Sequence, residues 1–447
     1  MTSDGFFLVN AACTLLAVGL LVRLWRQHRW LFVKPSIAIL AVSVLLFQVP
    51  LVIGSGTIYG ALPRPGEVAL LVNGYVIGGL LLASLGFRKA ALDTWSGFSA
   101  HGADSLKANI KPLTLIALAL AAAYLSVVPF TETGLYSLLS GADPEAFSQA
   151  RESSVKLVTA AIPRYALMLL AASVGPILTG LVTLELVQRW TMSSWQPRIG
   201  QILLLSGVWS ACMLSGAKGI LVFQVMTGFV AFAFHRRLRI SLVGFSAATI
   251  AILLPAVLIT VLMSSPDVDV ATNSSGAVQA TAARSLVVPF MVDIWYADYT
   301  QQGGGPAGIA ALRPLAVLFD TPYFDLPNYI GLTYAPGFYG HDVIGSISAT
   351  GGYLFYFYAV FGIDSLGLSI FLLLATDIVL LLTRRIPGGL GVAVVAAMLV
   401  SAQKFAQSDY TTVWLTHGFG VIPLIGVLLV RQRRMIAERD VGTLDAS

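Results

Sequence analysis

The chain has 447 residues, of which 57% are hydrophobic and only 11% are charged. Soluble domains carry roughly 25% charged residues, so this composition argues against a soluble globular fold. The net charge of +5 does not indicate nucleic-acid binding, because Lys and Arg collect in the cytoplasmic loops of membrane proteins. The apolar residues fall in long runs that suit membrane helices, and not in the alternating pattern of barrel strands.

These runs predict an all-α polytopic membrane protein with about eleven transmembrane helices, which form a single membrane domain over residues 1–447. The predicted spans are 6–22, 35–53, 68–87, 113–130, 165–187, 199–215, 219–235, 240–263, 365–383, 389–402 and 413–430. One further apolar segment, 343–361, contains an aromatic stretch of the kind that is enriched at membrane–water interfaces.

The distribution of positive charge predicts the orientation of these spans. Residues Met1–Gly5 carry Asp4 and no cation, whereas Arg23, Arg26 and Arg29 follow the first run, so we expect an uncleaved N-terminus outside. With this orientation 19 of the 27 Lys and Arg residues lie in cytoplasmic loops. The count holds only if segment 343–361 does not span, and we therefore expect a non-spanning helix there and a cytoplasmic C-terminus.

The stretch 264–364 is the longest segment between predicted spans and forms a large outer loop, which we expect to contain interfacial helices. Connections of this length are usually functional. The loop is rich in aromatic residues, including Tyr296 and Tyr339. Their rings can form platforms for sugar rings, and anchoring at the membrane interface explains them equally well.

The cations predicted to lie outside are the most informative charges, because topology gives no reason for them. Their simplest explanation is a solvated charge or a neutraliser of nearby acids. Lys218 lies in a short link between Gly216 and Gly219, and Lys404 is close in sequence to Asp409, with which it can form an ion pair. Several cations in one outer cavity would suit a diphosphate. The eight are Arg64, Arg151, Lys156, Arg164, Lys218, Arg284, Arg313 and Lys404.

The candidate base is His341, which is followed directly by Asp342. Histidine accepts a proton near neutral pH, and a carboxylate can orient its ring. A loop histidine bonded to the backbone is the simpler alternative. Neither paired cysteines nor a metal-binding histidine motif is present, so we expect no metal site and no cofactor.

Three stretches resemble the Wzy-type O-antigen and oligosaccharide-repeat-unit polymerases, a family related to the O-antigen ligases. The link Leu214–Gly219 resembles a small-residue link with a cation between two spans, although family members more often carry Arg where this chain has Lys218. Arg284–Phe290 resembles the arginine-led start of the large periplasmic loop. His341-Asp342, with Thr350–Tyr353 and Phe361–Gly367 after it, resembles the end of that loop.

The resemblance implies a multi-pass enzyme of the bacterial inner membrane that joins undecaprenyl-diphosphate-linked glycans at the periplasmic face by metal-independent glycosyl transfer. The implied partners are the lipid-linked donor and acceptor, membrane lipids and a chain-length regulator protein, and no nucleic acid. We expect His341 and Arg284 to be catalytic. The expected diphosphate ligands are Lys218, Arg164, Arg313 and Lys404, and the expected sugar-binding residues are Tyr296, Asp342, Tyr339 and Arg151.

Three other functions remain open on the sequence. An O-antigen ligase would differ mainly in its acceptor. A GT-C-like glycosyltransferase would usually need an acid in the first outer loop, where only Glu67 is available. A flippase or transporter for the same glycans would be expected to have pseudo-symmetric halves, and no internal repeat is evident.

Overall fold

The computed structural model describes residues 3–54, 62–98, 104–141, 146–147, 149–150, 153, 161–190, 195–238, 288–302, 305–339 and 349–444. Within these ranges the chain forms helices and no strand. Seven of the described helical segments are long and apolar enough to cross a membrane. They are Gly5–Gln27, Pro35–Ile53, Pro65–Leu85, Leu106–Leu125, Pro163–Arg189, Tyr353–Thr383 and Gly388–Ala406. The chain is therefore an α-helical membrane protein.

The α-helices are numbered here in chain order, and α2, α3 and α7 each contain one π turn. The first nine are α1 Ser3–Gln27, α2 Pro35–Ile53, α3 Pro65–Leu85, α4 Arg88–Gly97, α5 Asp104–Leu125, α6 Gly134–Leu139, α7 Pro163–Arg189, α8 Gln196–Cys212 and α9 Lys218–His235. The others are α10 Val288–Gln302, α11 Arg313–Leu318, α12 Leu326–Tyr339, α13 Tyr353–Phe361, α14 Ser365–Ala375, α15 Gly388–Ala402, α16 Tyr410–Leu415 and α17 Val421–Leu444. After α14 the helix continues through a 3-10 turn at Thr376–Val379 and an α turn at Leu380–Thr383.

Most predicted spans that fall on described residues correspond to helices, and two segments differ. The predicted span 413–430 is divided between α16 and α17, with Gly418 between them at φ +79°. A Cβ on Gly418 would lie 2.2 Å from the Ala172 carbonyl oxygen, so the chain turns where it touches the π turn of α7. In segment 343–361 the described helix is α13 alone, and the predicted span 240–263 lies outside the described residues.

The chain divides into two compact units. The first unit comprises Met1–Arg88, Ala282–Ile378 and Ala402–Val413, and the second comprises Lys89–Thr281, Val379–Ser401 and Trp414–Ser447. In the second unit α7 is central and packs against α5, α8 and α9. The Gln224 side chain of α9 donates to the Ala171 carbonyl, 3.2 Å away in the π turn of α7, and accepts from the Thr179 hydroxyl at 2.8 Å. Without these hydrogen bonds the polar groups would be buried unpaired in apolar surroundings, which costs free energy.

A buried ion pair joins three helix ends in the first unit. The Lys34 ammonium lies 3.0 Å from the Asp377 carboxylate, and neither side chain is exposed. The ammonium also donates to the carbonyls of Ala83 and Gly86 at the end of α3. The Ser36 amide and hydroxyl donate to the carboxylate at 3.0 and 2.7 Å. Because Lys34 precedes α2 and Asp377 follows α14, the start of α2 and the ends of α3 and α14 lie together.

We predict that Asp377→Ala destabilises the protein by about 3–5 kcal/mol, because it leaves a buried ammonium without its counter-charge. The measurement is the apparent Tm of the purified protein in detergent. The matched control is Arg64→Ala, which removes a pair that is 2.8 Å long but has a half-exposed arginine, and we expect it to cost at most about 1 kcal/mol. Equal losses of stability in the two variants would contradict this assignment.

Candidate functional site

The structure describes only some of the predicted site residues. Tyr296, Arg313 and Lys404 belong to the first unit, and Arg164 belongs to the second. Arg164 and Arg313 are exposed, Tyr296 is buried and Lys404 is half-buried. For Lys218 and Tyr339 only the backbone is described, at the start of α9 and the end of α12. Arg151, Arg284, His341 and Asp342 lie outside the described residues.

Helix α13 runs from the middle of α3 towards the Pro65 end of that helix. At its first residue the Tyr353 hydroxyl lies 2.6 Å from that of Tyr75, which is ten residues from each end of α3. Near its other end the Tyr358 hydroxyl donates to Glu67 at 2.9 Å. Nine residues rise only about 13 Å, against the roughly 30 Å of a bilayer core, so α13 is too short to cross a membrane by itself.

Gly362 reverses the chain after α13, and α14 then runs beside α3 in the opposite direction to α13. Gly362 has φ +68°, a backbone conformation that favours glycine. The amides of Ala307 and Gly308 donate to the carbonyls of Ala359 and Val360 at 2.8 and 3.0 Å, which satisfies the end of the helix. Within the first unit α13 and α14 thus form a helical hairpin in which the first arm is a half-length helix, so the apolar segment Tyr353–Thr383 turns back at Gly362 and is not one straight helix.

A buried carboxylate lies where this half-length helix begins. Asp293 of α10 is 1% exposed, and its Oδ1 accepts from the Gly352 amide at 3.0 Å. Its Oδ2 has no hydrogen-bond partner among the described residues. Burial raises the pKa of the Asp293 carboxyl well above the ordinary value, while the Gly352 amide acts in the opposite direction. A buried carboxyl with a raised pKa, and with one oxygen unpartnered among the described residues, is a candidate for proton exchange.

Two glycines allow α10 and the start of α13 to approach this closely. A Cβ on Gly351 would lie 3.0 Å from the Tyr296 ring and 3.2 Å from Asp293 Oδ1. A Cβ on Gly352 would lie 2.7 Å from the Ala406 carbonyl oxygen and 2.9 Å from the Phe47 ring. The pair is therefore required for a close approach of backbone to side chains, and it belongs to the Thr350–Tyr353 stretch on which the family resemblance partly rests.

Two tyrosines, Tyr296 of α10 and Tyr356 of α13, pack together beside this carboxylate. The Tyr296 hydroxyl donates to the Ala349 carbonyl at 2.9 Å, and its ring centroid lies 6.1 Å from that of Tyr356. Burial raises the pKa of Tyr296, and the Asp293 and Asp409 carboxylates add to this effect. Tyr296 is fully buried, so in this structure it positions its neighbours and presents no ring face to a ligand.

An exposed cation stands next to this group of side chains. The Arg313 guanidinium at the start of α11 lies 6.0 Å from the Tyr323 ring centroid, a cation–π arrangement. Burial and Asp325 raise the pKa of Tyr323, whereas Arg313 lowers it and Asp409 raises it further. The Tyr356 hydroxyl donates to the Ala311 carbonyl at 2.6 Å, and its ring centroid lies 6.1 Å from that of Tyr296, so the chain just before Arg313 packs against α13 on the side that also meets α10.

In the first unit, buried polar side chains of α1, α2 and α3 are joined by hydrogen bonds. The Gln48 amide donates to Asn73 at 3.0 Å, and the Asn73 amide donates to Asn10 at 2.8 Å. Gln48 lies in the π turn of α2, and Asn73 directly precedes the π turn of α3. π turns in helices often occur at functional sites, and polar residues inside membrane helices are candidates for function.

The link before Lys218 is packed against backbone. Gly216 has φ +74°, and a Cβ there would lie 2.8 Å from the Gly134 carbonyl carbon. The Leu135 amide donates to the Leu214 carbonyl at 3.2 Å. The small residue at 216 therefore allows a close approach of α6. Gly219, in contrast, faces open space.

Asp293 is the main residue that the sequence did not identify. The sequence signal that could have identified Asp293 is its position as the lone charged residue in the apolar run from Leu286 to Trp295. An ionisable residue in such a run is a functional candidate. Among the described residues no group of three His, Cys, Asp or Glu side chains could hold a metal ion.

Comparisons of the chain with models of protein families, with curated proteins and with solved structures return no match. Function therefore has to be inferred from the residues and contacts of the chain itself.

We predict that Gly134→Ala lowers the apparent Tm strongly, because the new Cβ would lie 2.3 Å from the Ser215 carbonyl oxygen and force the α6 contact apart. Overpacking of this kind typically costs about 1–3 kcal/mol. The control is Gly219→Ala, whose Cβ meets nothing within 4 Å in α9, and we expect it to be neutral or slightly stabilising. Similar Tm values for the two variants would show that the link is not packed against α6.

Proposed function

We propose that the chain is a membrane glycosyltransferase that joins undecaprenyl-diphosphate-linked oligosaccharide units into a polysaccharide at the periplasmic face of the bacterial inner membrane. The observation that carries the proposal is the buried Asp293 carboxylate at the start of a half-length helix, one oxygen of which has no hydrogen-bond partner among the described residues. A proton-accepting group in a membrane-embedded polar site is what transfer of a sugar to a hydroxyl requires.

The directions of the helices support the expected orientation. Lys34 lies in the arginine-rich first loop, which the positive-inside rule places in the cytoplasm. The end of α14 lies beside Lys34 because Asp377, which follows α14, forms an ion pair with Lys34. Asp377 in turn precedes Arg384 by seven residues. In this orientation Glu67 and the end of α13 face the periplasm, and the carboxylate of Asp293 lies near the middle level of α3. The N-terminus is then periplasmic, the C-terminus is cytoplasmic, and 264–364 is a periplasmic segment.

The reaction assigns distinct tasks to the acid and the cations. An acceptor hydroxyl attacks the anomeric carbon of the donor sugar, its proton passes to the base, and the bond from that carbon to the diphosphate oxygen breaks. The lipid diphosphate leaves with both electrons of that bond. Asp293 is the base that the described contacts support, and it gains this ability as the pH rises through its raised pKa. His341, the base expected from the sequence, is two residues beyond α12.

Cations stabilise the negative charge that develops on the departing diphosphate. Arg284 precedes the first described residue of α10 by four residues, so it lies close in sequence to the Asp293 helix. Arg313 is exposed beside Tyr323. The cations of the first unit that this proposal assigns to the diphosphate are Arg284, Arg313 and Lys404, and the roles of Lys218 and Arg164 stay predictions from the sequence. Exposed rings such as those of Tyr323 and Tyr329, each 44% exposed, supply surfaces for sugars.

We predict that Asp293→Asn abolishes polymerisation, with a loss of about 10²–10⁴-fold in rate. Asparagine keeps an oxygen that accepts from the Gly352 amide but cannot take a proton, so the fold is retained. The measurement is the length distribution of surface polysaccharide in cells whose own copy of the gene is deleted, with protein levels checked. The control is Asp320→Asn, an exposed acid of the same segment, which should give a normal ladder.

The same assay tests the residues inferred from the sequence. Lys218→Ala, Arg284→Ala and His341→Ala should each shorten the chains, because each removes a diphosphate contact or a proton acceptor. Wild-type chain length in Asp293→Asn and in all three of these variants would contradict the proposed site. The deletion strain separates two functions: single-repeat glycan indicates a polymerase, and unligated polymer indicates an O-antigen ligase.

A further inference from the structure

A cavity of about 260 Å³ lies between the last turns of α1 and the last turns of α3. Leucines of both helices line one part of it, and Arg23, Gln27, His28, Ser84 and Arg88 line the other. The cavity is open on one side, so a ligand can enter it from the surroundings. All the lining residues belong to the first unit, and the cavity lies at the Leu85 end of α3, opposite to Glu67.

The charge of the lining is strongly positive. Two arginines and a histidine line the cavity, and none of the lining residues within the described ranges carries a carboxylate. The Arg23 guanidinium donates to Gln27 at 3.2 Å, and the Arg88 guanidinium lies 5.6 Å from the Trp30 ring centroid. Neither arginine forms an ion pair with an acid in the described part of the chain. The electronegative ends of α1 and α3 favour cations here, but they do not account for the open space between them.

Aromatic and apolar side chains place the cavity at the level of lipid headgroups. Trp25 packs edge-to-face on Phe32 with ring centroids 5.1 Å apart, and Trp30 lies 5.9 Å from His28. Tryptophan is enriched where membrane meets water. Among the lining leucines, Leu81 and Leu85 are 51% and 67% exposed, so this wall of the cavity faces the surrounding lipid. Phosphate-binding chemistry and hydrocarbon contacts therefore meet in one place.

We propose that this cavity binds one anionic phospholipid, with its phosphate between Arg23 and Arg88 and an acyl chain along the leucines of α1 and α3. The planar guanidinium groups match phosphate oxygens, and a phosphate supplies the negative charge that the lining lacks. The site is separate from the proposed reaction, because Asp293 contacts the half-length helix that begins at the middle of α3 and rises towards its opposite end.

The test is the apparent Tm of the purified, delipidated full chain in detergent with added lipid. Dioleoyl phosphatidylglycerol should raise the Tm, whereas dioleoyl phosphatidylcholine and inorganic phosphate should not. In Arg23→Gln/Arg88→Gln the concentration of phosphatidylglycerol needed for half of the shift should rise at least about tenfold. The matched control is Arg384→Gln/Arg385→Gln, two exposed arginines outside the cavity, which should respond like the wild type.

A second variant covers the case in which the double variant does not fold. Ser84→Phe fills the cavity and keeps both arginines, and it should also lose the phosphatidylglycerol shift. An unchanged shift in Ser84→Phe, an equal response to phosphatidylcholine, or an equal loss in the Arg384/Arg385 control would each overturn the proposal. A shift produced by inorganic phosphate alone would show a simple anion site and would overturn the lipid assignment.

Discussion

The ion pair between Lys34 and Asp377 is the contact on which the arrangement of the first unit depends. Both charges are fully buried, so each needs partners inside the protein, and the carbonyls at the end of α3 and the Ser36 donors supply them. Removing one partner would leave the other charge uncompensated in apolar surroundings. The pair therefore holds the start of α2 and the ends of α3 and α14 at one level, and it fixes the direction in which α14 runs.

The position of the candidate site follows from that direction. Because α14 ends beside Lys34, its start and the preceding α13 must lie towards the Pro65 end of α3. The half-length α13 then leaves its first turn, with Gly351 and Gly352, near the middle of α3, where Tyr75 meets Tyr353. Asp293 lies against this turn because glycines allow the approach. A carboxylate that is far from solvent and incompletely bonded is costly, which is the usual mark of a site kept for function.

Hydropathy predicted most of the helices, because runs of apolar residues suffice to place a membrane span; Pro35–Ile53 matches its prediction to the residue. The break at Gly418 was not predicted, since it depends on contact with α7. The Lys34–Asp377 pair joins residues more than 300 positions apart, and a single sequence carries no signal for such a contact. For the same reason the contact of Asp293 with Gly352, 59 positions further along the chain, could not be predicted. Arg284 and His341 were chosen from motifs, and their roles remain predictions.

Glycosyl transfer by this chain can be measured with the purified protein in vesicles supplied with an undecaprenyl-diphosphate-linked repeat unit and a chelator. The measurement is the ratio of free undecaprenyl diphosphate released to glycosidic bonds formed. We expect a ladder of lipid-linked glycans with one undecaprenyl diphosphate released per new bond. Movement of the repeat unit across the vesicle membrane without bond formation would contradict this expectation and would indicate a transporter.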